Sequence, residues 1–237
     1  MIQTEGIFVG GSAISAPIIG EDFNWSGGDG TYQVLDDGGS NWRIKFLSSG
    51  TFTPLKNMVI DVFLVGGGGG AGSSYCGEGG AGYTTTVRSV VLTADTAYSI
   101  VVGAAGTNGN PSSAGGETTA FTASAAGGKN TSNGTSSSKR PGGAGGSGGA
   151  GYVSPVATTT GGTDGGDGTD SATAGGKGQG TTTREFGEAD GDLYASGGGS
   201  NLSATVANSG NGGRNGITSI APADGIVVIR QHKEVAA

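Results

Sequence analysis

Between Gly66 and Gly216 the chain carries 43 of its 54 glycines, whereas the sequence on either side of this block has the pattern of ordinary β-strands. Glycine has no side chain to bury, and ordering it costs roughly 0.5–1 kcal/mol more than ordering alanine. Over the whole block this cost is on the order of 20–40 kcal/mol, which exceeds the ~5–15 kcal/mol net stability of a typical domain. The block is therefore either disordered or ordered by backbone hydrogen bonds instead of side-chain packing.

The charge of the chain argues against nucleic acid as a partner. The 237 residues carry a net charge of −7, and charged residues make up only 13%. A nucleic-acid-binding domain shows a basic patch or stripe, whereas the nearest candidate here is the pair Lys139 and Arg140 in a Ser/Gly loop. Hydrophobic residues make up 33%, so a modest core is expected, but not one that spans the whole length.

The sequence shows neither a targeting signal nor a membrane span. Its first residues lack the positive and long apolar regions of a signal peptide, and no stretch approaches the ~18–20 apolar residues of a membrane helix. We therefore expect a protein made in the cytoplasm that does not enter a membrane. The single cysteine, Cys76, excludes an internal disulfide framework, and its role stays open.

Strand patterns border the glycine block on both sides. Met58–Val65 is a near-continuous apolar run, typical of a strand covered on both faces, and residues 225–230 form a second one. Residues 83–92 and 97–102 are rich in β-branched side chains and flank a polar turn, which predicts a hairpin. No glycine-free segment of 12 residues shows a helical period, so the predicted fold class is all-β.

The simplest arrangement is a small β-sandwich that the last strand completes, with a long glycine-rich insertion rooted in it. Residues 1–40 then form an N-terminal lead-in that anchors the chain, 41–102 and 217–231 form the sandwich, 103–216 form the insertion, and 232–237 form a tail. Within the insertion, residues 142–151 have a period of three. This period predicts loops and extended strands of the polyglycine II type, which have no internal hydrogen bonds and bond to their neighbours instead.

No cofactor is predicted. Gly67, Gly69 and Gly72 follow a strand with the G-x-G-x-x-G spacing of a dinucleotide loop. Such a loop also needs a helix that receives the pyrophosphate and an acidic residue about 20 positions on. The residues after Gly72 cannot form that helix, and Arg88 and Ser89 stand about where the acid belongs.

No metal site or catalytic residue is predicted either. Asp164, Asp167 and Asp170 lie in one calcium-type repeat and are candidate ligands, but a single copy cannot supply the six to eight oxygens that calcium takes. The only histidine, His232, follows the last strand, and we expect no Ser/His/Asp set around it. Carboxylates such as Glu185 lack a flanking aromatic cleft, so surface charge is the preferred interpretation.

Several segments together resemble the glycine-rich domain proteins that are common in bacteriophages and prophages. They are residues 65–72, 83–87, 98–103, 178–188, 193–199 and 225–230, with the paired glycines between them, and the resemblance covers roughly residues 42–230. It implies similarity to parts of tail fibres and other virion surface proteins, and it implies packed polyglycine II bundles. No site residues are implied by it.

The resulting hypothesis is a non-enzymatic virion component at the tail tip, baseplate or fibre that contributes to host attachment. Its expected partners are other virion proteins and a host cell-surface glycan or protein, and its expected assembly is a homo-oligomer, preferably a trimer. Aromatic side chains bring contact area at low entropy cost, so the candidate receptor contacts are Tyr152, Phe186 and Tyr194. The competing interpretation is that Phe186 and Tyr194 staple the glycine-rich layers as a small core.

Three alternatives stay open. The first is decoration of the capsid head. The second is a bacterial surface or ice-binding protein, because a flat face with Thr84, Thr85 and Thr86 could order water. The third is a glycan hydrolase, which the missing catalytic set disfavours.

Overall fold

The computed structural model describes residues 22–28, 30–38, 41–73, 75–133, 140–152, 160–169, 175–214 and 219–232. These residues form β-strands, extended segments and one short 3₁₀ helix at Glu185–Gly187. The strands are β1 (Phe23–Trp25), β2 (Tyr32–Asp36), β3 (Trp42–Phe46), β4 (Gly50–Pro54), β5 (Met58–Val65), β6 (Thr84–Leu92), β7 (Tyr98–Val101), β8 (Thr118–Ala120), β9 (Ala123–Ala125) and β10 (Ile226–Gln231). No helix in this part of the chain is long and apolar enough to cross a membrane.

The strands form two five-stranded antiparallel sheets, which confirms the all-β sandwich. One sheet has the order β1-β4-β7-β8-β9 and the other β2-β3-β10-β5-β6. The first core lies between them and includes these buried side chains: Phe23, Ile44, Phe46, Phe52, Ile60, Val62, Leu64, Leu92, Ile100, Val227 and Ile229. Two short strands from the predicted lead-in, β1 and β2, belong to the sandwich as sheet edges, whereas residues 1–21 lie outside the described part.

Strand β5 is buried on both faces, as its continuous apolar run predicts. Val62 and Leu64 point into the first core, and the alternate residues Phe63 and Val65 point into a second core on the other face. Because a strand places successive side chains on opposite faces, one apolar run can serve two cores. Antiparallel pairing with β6 and β10 places β5 inside its sheet.

The predicted hairpin of residues 83–92 and 97–102 is wrong. Strand β6 pairs with β5, whereas β7 pairs with β4 and β8 in the opposite sheet. The turn between them therefore carries the chain from one sheet to the other. Periodicity identifies a strand and its buried face, but it does not identify the partner.

The glycine-rich part enters the sandwich as three insertions instead of the single one expected at 103–216. Residues 66–83 connect β5 to β6, residues 102–117 connect β7 to β8, and residues 126–225 connect β9 to β10. The two short strands β8 and β9 separate the second insertion from the third. Apart from residues 181–195, the described residues of these insertions form one packed bundle, which we call the glycine bundle.

The first segment of this bundle, residues 66–72, donates hydrogen bonds with a period of three. Gly66 and Gly69 donate to the carbonyl oxygens of Tyr83 and Gly80 at 2.9 and 2.8 Å, so segments 66–72 and 77–83 run antiparallel. The amides between them bond to other neighbours: Gly67 to Gly116, Gly68 to Ala223 and Gly70 to Ser113. This is the threefold geometry of a polyglycine II strand, in which every third residue faces the same neighbour.

The carbonyl oxygens of segment 66–72 accept bonds from three further segments. The donors are Gly128 to Gly67, Gly106 to Gly68, Gly213 to Gly69, Thr131 to Gly70 and Gly109 to Ala71. Segment 66–72 thus has six neighbours around it: 77–83, 103–109, 113–117, 126–131, 209–213 and 219–225. This hexagonal packing pairs the backbone groups that side chains cannot cover, as a buried backbone requires.

Glycine is required here because the backbones lie against one another. A Cβ atom added to Gly68 would overlap the carbonyl oxygen of Asn211, and one added to Gly66 would overlap that of Ala126. The composition that looked unfavourable for packing is therefore the condition for this kind of packing.

The bundle projects away from the sandwich. Segment 66–72 leaves the end of β5 and segment 77–83 returns to β6, so residues 73, 75 and 76 mark the far end. At ~3.1 Å per residue this end lies roughly 25 Å from the sheet. Segments 103–109 and 126–131 run parallel to 66–72, so their ends lie there too. We call this region the distal end; it consists of residues 72–73, 75–76, 108–112, 129–133, 140–144 and 152.

Candidate functional site

In the described part of the chain, two places outside the first core combine charged side chains with aromatic rings. One is the outer face of the β3-β10-β5-β6 part of the sandwich, which we call the charged layer. Its members are Arg43, Lys45, Asp61, Arg88, Ser89, Glu185, Glu188, Arg230 and His232. The other is the distal end of the glycine bundle.

Residues 181–195 of the third insertion, which we call the cover segment, lie over the charged layer. Phe186 and Tyr194 from this segment pack against Phe63, with ring centroids 5.9 and 5.6 Å apart. They are 2% and 8% exposed, so neither ring is available to a partner in this structure. Their positions match the competing interpretation, in which they staple the glycine-rich part to the sheet.

Glu185 is the buried acid of this segment and is satisfied by two cations from β3. Its carboxylate lies 2.6 Å from the Arg43 guanidinium and 3.3 Å from Lys45 Nζ. Burial lowers the pKa of Lys45, but its hydrogen bonds to Asp192 and Tyr194 raise that pKa by more, so the ammonium group stays charged. The contacts therefore fasten the cover segment to the sheet.

Asp61 is the other buried acid, and four donors surround it. Its oxygens lie 3.1 Å from Arg230 Nε, 3.2 Å from Arg88 and 2.6 Å from His232 Nδ1, and Ser89 N–H donates to it at 3.2 Å. Burial raises the pKa of the Asp61 carboxyl, but these hydrogen bonds lower it by more, so the net pKa lies below the ordinary 3.8. Asp61 is thus a buried carboxylate held by positive neighbours.

The structure assembles a Ser/His/Asp chain around His232, so the prediction that none exists there is wrong. Ser89 Oγ lies 3.0 Å from His232 Nε2, and His232 Nδ1 lies 2.6 Å from Asp61. Ser89 has a φ of 58° at an irregularity of β6 opposite Asp61. The sequence contains one signal for this cluster, a lone aspartate inside the apolar run of β5. It does not show that Ser89 and His232 lie beside this aspartate, because their approach depends on strand pairing.

The surroundings of this chain do not fit nucleophilic catalysis. A serine nucleophile needs donors aimed at the developing oxyanion. The Ser89 N–H donates to Asp61 instead, and the Arg88 guanidinium donates to Asp61 and to the carbonyl oxygen of Phe186. Because two guanidinium groups already neutralise Asp61, the cluster acts as a clamp on the end of β10.

The candidate metal ligands are held in separate hydrogen-bond sets. Asp164 accepts from the Thr182 hydroxyl and from Thr183 N–H, and the first of these chiefly lowers its pKa. Asp167 lies 2.6 Å from Lys177 Nζ, and this bond lowers the pKa of its carboxyl. Asp170 lies outside the described residues, and the residues that are described contain no cluster of three possible ligands.

Two of the three threonines considered for an ice-binding face bond within the protein. Thr84 Oγ1 accepts from the Gln179 side chain at 2.9 Å, and Thr85 Oγ1 donates to the carbonyl oxygen of Ser124 at 2.8 Å. These hydroxyls therefore link β6 to the third insertion and to β9.

The distal end presents an aromatic pair of one exposed and one half-buried ring. Tyr75 is 44% exposed and packs edge-on against Tyr152, with centroids 5.8 Å apart and planes at 77°. Tyr152 and Arg140 exchange backbone hydrogen bonds of 2.9 and 3.2 Å. Ser73 and Asn133 are joined by a 2.7 Å bond, so the ends of the first and third insertions are tied together. Of the three candidate receptor contacts, Tyr152 is the one at this end.

A polar cleft of about 280 Å³ lies next to the tyrosine pair, between residues 129–132 and 140–144. Its cations are Lys129 and Arg140, and no carboxylate of the described residues forms a salt bridge with either. The Arg140 Nε atom is buried and has no hydrogen-bond partner. In the sequence Arg140 is only one half of a basic pair, and nothing in its neighbourhood predicts a cleft. The single cysteine, Cys76, is buried nearby.

The chain was compared with models of known protein families and with curated proteins. The model of a protein family described as a glycine-rich domain matches residues 47–230, from the end of β3 to the end of the sandwich. No curated protein matches the sequence. The matched range contains the central segment 66–72, the charged layer's cover segment and the distal end.

Proposed function

Because the chain belongs to the family of glycine-rich domains, we propose that it is a non-enzymatic structural protein of a bacteriophage virion. In this proposal it is placed at the tail tip, fibre or baseplate and contributes to attachment to the host. Its location is the virion, and its partners are other virion proteins and a glycan or protein of the host surface. A homotrimer is the preferred assembly, as in fibres.

The observation that carries this proposal is the hexagonal glycine bundle. Segment 66–72 is bonded to six neighbours through its backbone, so the projection is ordered without a hydrophobic core. Loops can then vary at the distal end while the bundle holds them in place, which is how rigid scaffolds present binding residues. A projection of this kind suits display of a binding surface.

Two further features support a binding role over a catalytic one. The Ser89–His232–Asp61 chain has its neighbouring donors committed to other acceptors. The aromatic pair of the exposed Tyr75 and the half-buried Tyr152 lies at the distal end, where a partner can reach it. The net charge of −7 disfavours nucleic acid as that partner.

The test begins with purified virions from a lysogen that carries the gene. We expect mass spectrometry to detect the chain in the particles and gold-labelled antibody to mark the tail. The purified chain should adsorb to host cells and release no sugars from their surface glycans. Its absence from the particles would refute the proposal, and a label on the head would instead support the capsid-decoration alternative.

A further inference from the structure

We propose that the cleft at the distal end binds an acidic glycan. Lys129 and Arg140 take the carboxylate or phosphate group, and a neighbouring sugar ring stacks on Tyr75 and Tyr152. This inference names the ligand class of the attachment surface and in that sense rests on the proposed function.

The charge pattern is the first support. Elsewhere in the described chain, buried cations such as Lys45 and Arg230 lie beside carboxylates. Among the described residues, the half-buried Arg140 and the exposed Lys129 line a cleft without such a partner, in a chain whose net charge is −7. The guanidinium group presents a planar fork of donors that matches a carboxylate or a phosphate.

The unpaired donor of Arg140 is the second support. Nearly all buried polar groups in native proteins have a hydrogen-bond partner, so each exception needs an explanation. The Nε–H of Arg140 is such an exception, and Arg140 is one of the residues that line the cleft. An anion bound there would supply the missing acceptor.

The tyrosine pair is the third support. Backbone pairing places Arg140 directly beside Tyr152, and the Tyr152 ring contacts the ring of Tyr75. Tyrosine is a rigid amphipathic side chain that adds contact area at low entropy cost. Among the described residues the hydroxyls of Tyr75 and Tyr152 have no bonding partner, so they can donate to sugar oxygens. The cleft volume of about 280 Å³ lies just below the range of drug-sized ligand pockets and suits one charged sugar unit.

The test is titration calorimetry of the full chain with three polymers. Hyaluronan oligosaccharides carry carboxylates, glycerol teichoic acid carries phosphodiesters, and dextran is neutral. We expect one acidic polymer or both to bind and dextran not to bind. Raising the salt from about 20 to about 200 mM should weaken binding, because exposed charge pairs are screened.

Matched variants locate the site. Arg140→Gln and Tyr152→Ala should each weaken binding about tenfold, the loss of a charge-assisted contact or a stacked ring. Lys177→Gln removes the same charge from a site paired with Asp167 and should leave affinity unchanged. Thermal melting shows that each variant is folded, and Arg140→Lys gives a second, milder test because it keeps the charge but not the fork.

Equal affinity for dextran and both acidic polymers would overturn the inference, and so would binding that Arg140→Gln and Tyr152→Ala leave intact. These results are separable from the proposed function. A chain that is found in virions and adsorbs to cells, yet ignores acidic polymers, keeps its attachment role and loses only this ligand. A chain that binds acidic polymers but is absent from virions loses the attachment role and keeps the site.

Discussion

Gly68 shows at single-residue scale why the bundle consists of glycine. Its amide donates to Ala223, its carbonyl accepts from Gly106, and a Cβ atom would overlap the carbonyl oxygen of Asn211. We predict that Gly68→Ala destabilises the protein by about 3 kcal/mol, the upper range for overpacking. At this chain length that corresponds to a fall in Tm of about 6–12 °C, measurable by circular dichroism.

Gly166→Ala is the control for this prediction. Gly166 is exposed, and an added Cβ would meet only the carbonyl oxygen of Thr163, at 3.1 Å. We expect its Tm to change by less than about 3 °C. Equal Tm values for Gly68→Ala and Gly166→Ala would show that the backbones of the central segment are not in close contact.

Asp61 gives a prediction about pH. Because its pKa is lower in the folded state than the ordinary 3.8, the unfolded chain binds more protons at acidic pH. Its contribution to stability is therefore present above pH 3.8 and is lost as the pH falls through the folded-state pKa. Urea unfolding at a series of pH values should show this loss.

Asp61→Asn should remove that part of the pH dependence and destabilise the protein by about 1.5–3 kcal/mol near neutral pH, because the buried Arg230 loses one of its two carboxylate partners and keeps only Glu188. Asp95→Asn in the exposed turn between β6 and β7 is the control and should change little. An Asp61→Asn protein with the stability and pH profile of the parent would contradict the assigned role of the clamp.

At the scale of elements, residues 181–195 act as a cover that closes the second core. Phe186 packs against Phe63 and under the Arg230 guanidinium, whose Cζ lies 4.1 Å from the ring centroid. We predict that Phe186→Ala costs about 3–5 kcal/mol, as for other buried phenylalanines. Leu193→Ala in the same segment is the control, because Leu193 is an exposed side chain. Chemical denaturation of both variants measures the difference in their free energies of unfolding. Similar losses of stability in both variants would mean that the cover segment does not depend on its buried ring.

The strands could be predicted from the sequence better than their partners. The apolar runs of β5 and β10 identify buried strands because burial on both faces leaves no polar alternation. The sheet to which β7 belongs was not predictable, because a polar four-residue turn can close a hairpin or connect two sheets. For the same reason the approach of Ser89 and His232 to Asp61 was not predictable, since it depends on β6 and β10 both lying beside β5.

At the scale of the whole molecule, the glycine composition indicated a backbone-bonded, threefold packing but not its connectivity. Period three in residues 142–151 indicates the polyglycine II conformation. The sequence does not show that segment 66–72 lies at the centre, because that depends on which of six segments surround it. The distal site was partly predictable. Tyr152 stands out as an aromatic residue in a glycine-rich region, whereas the cleft lies between residues 129–132 and 140–144, and neither segment has a pattern that predicts a cleft.

The three insertions are rooted in both sheets, and this connectivity has a consequence for cooperativity. Segments 66–72 and 77–83 continue directly into β5 and β6, and segment 219–225 continues into β10. The bundle cannot come apart without freeing the ends of strands in the sandwich, and the cover segment joins the two through Phe186. We therefore expect the bundle and the sandwich to unfold together instead of as separate units.

Hydrogen exchange tests this expectation directly. Exposed glycine amides in a flexible chain exchange within seconds, whereas amides that open only by global unfolding exchange at the rate set by the full free energy of unfolding. We predict that the amides of residues 66–70 exchange as slowly as those of Val62 and Leu64 in β5, and that mild denaturant accelerates both sets equally. The exposed turn around Gly30 should exchange fast in the same experiment and calibrates the scale. If the amides of residues 66–70 exchanged well before those of β5, the bundle would open independently, and a rigid projection for host attachment would lose its physical basis.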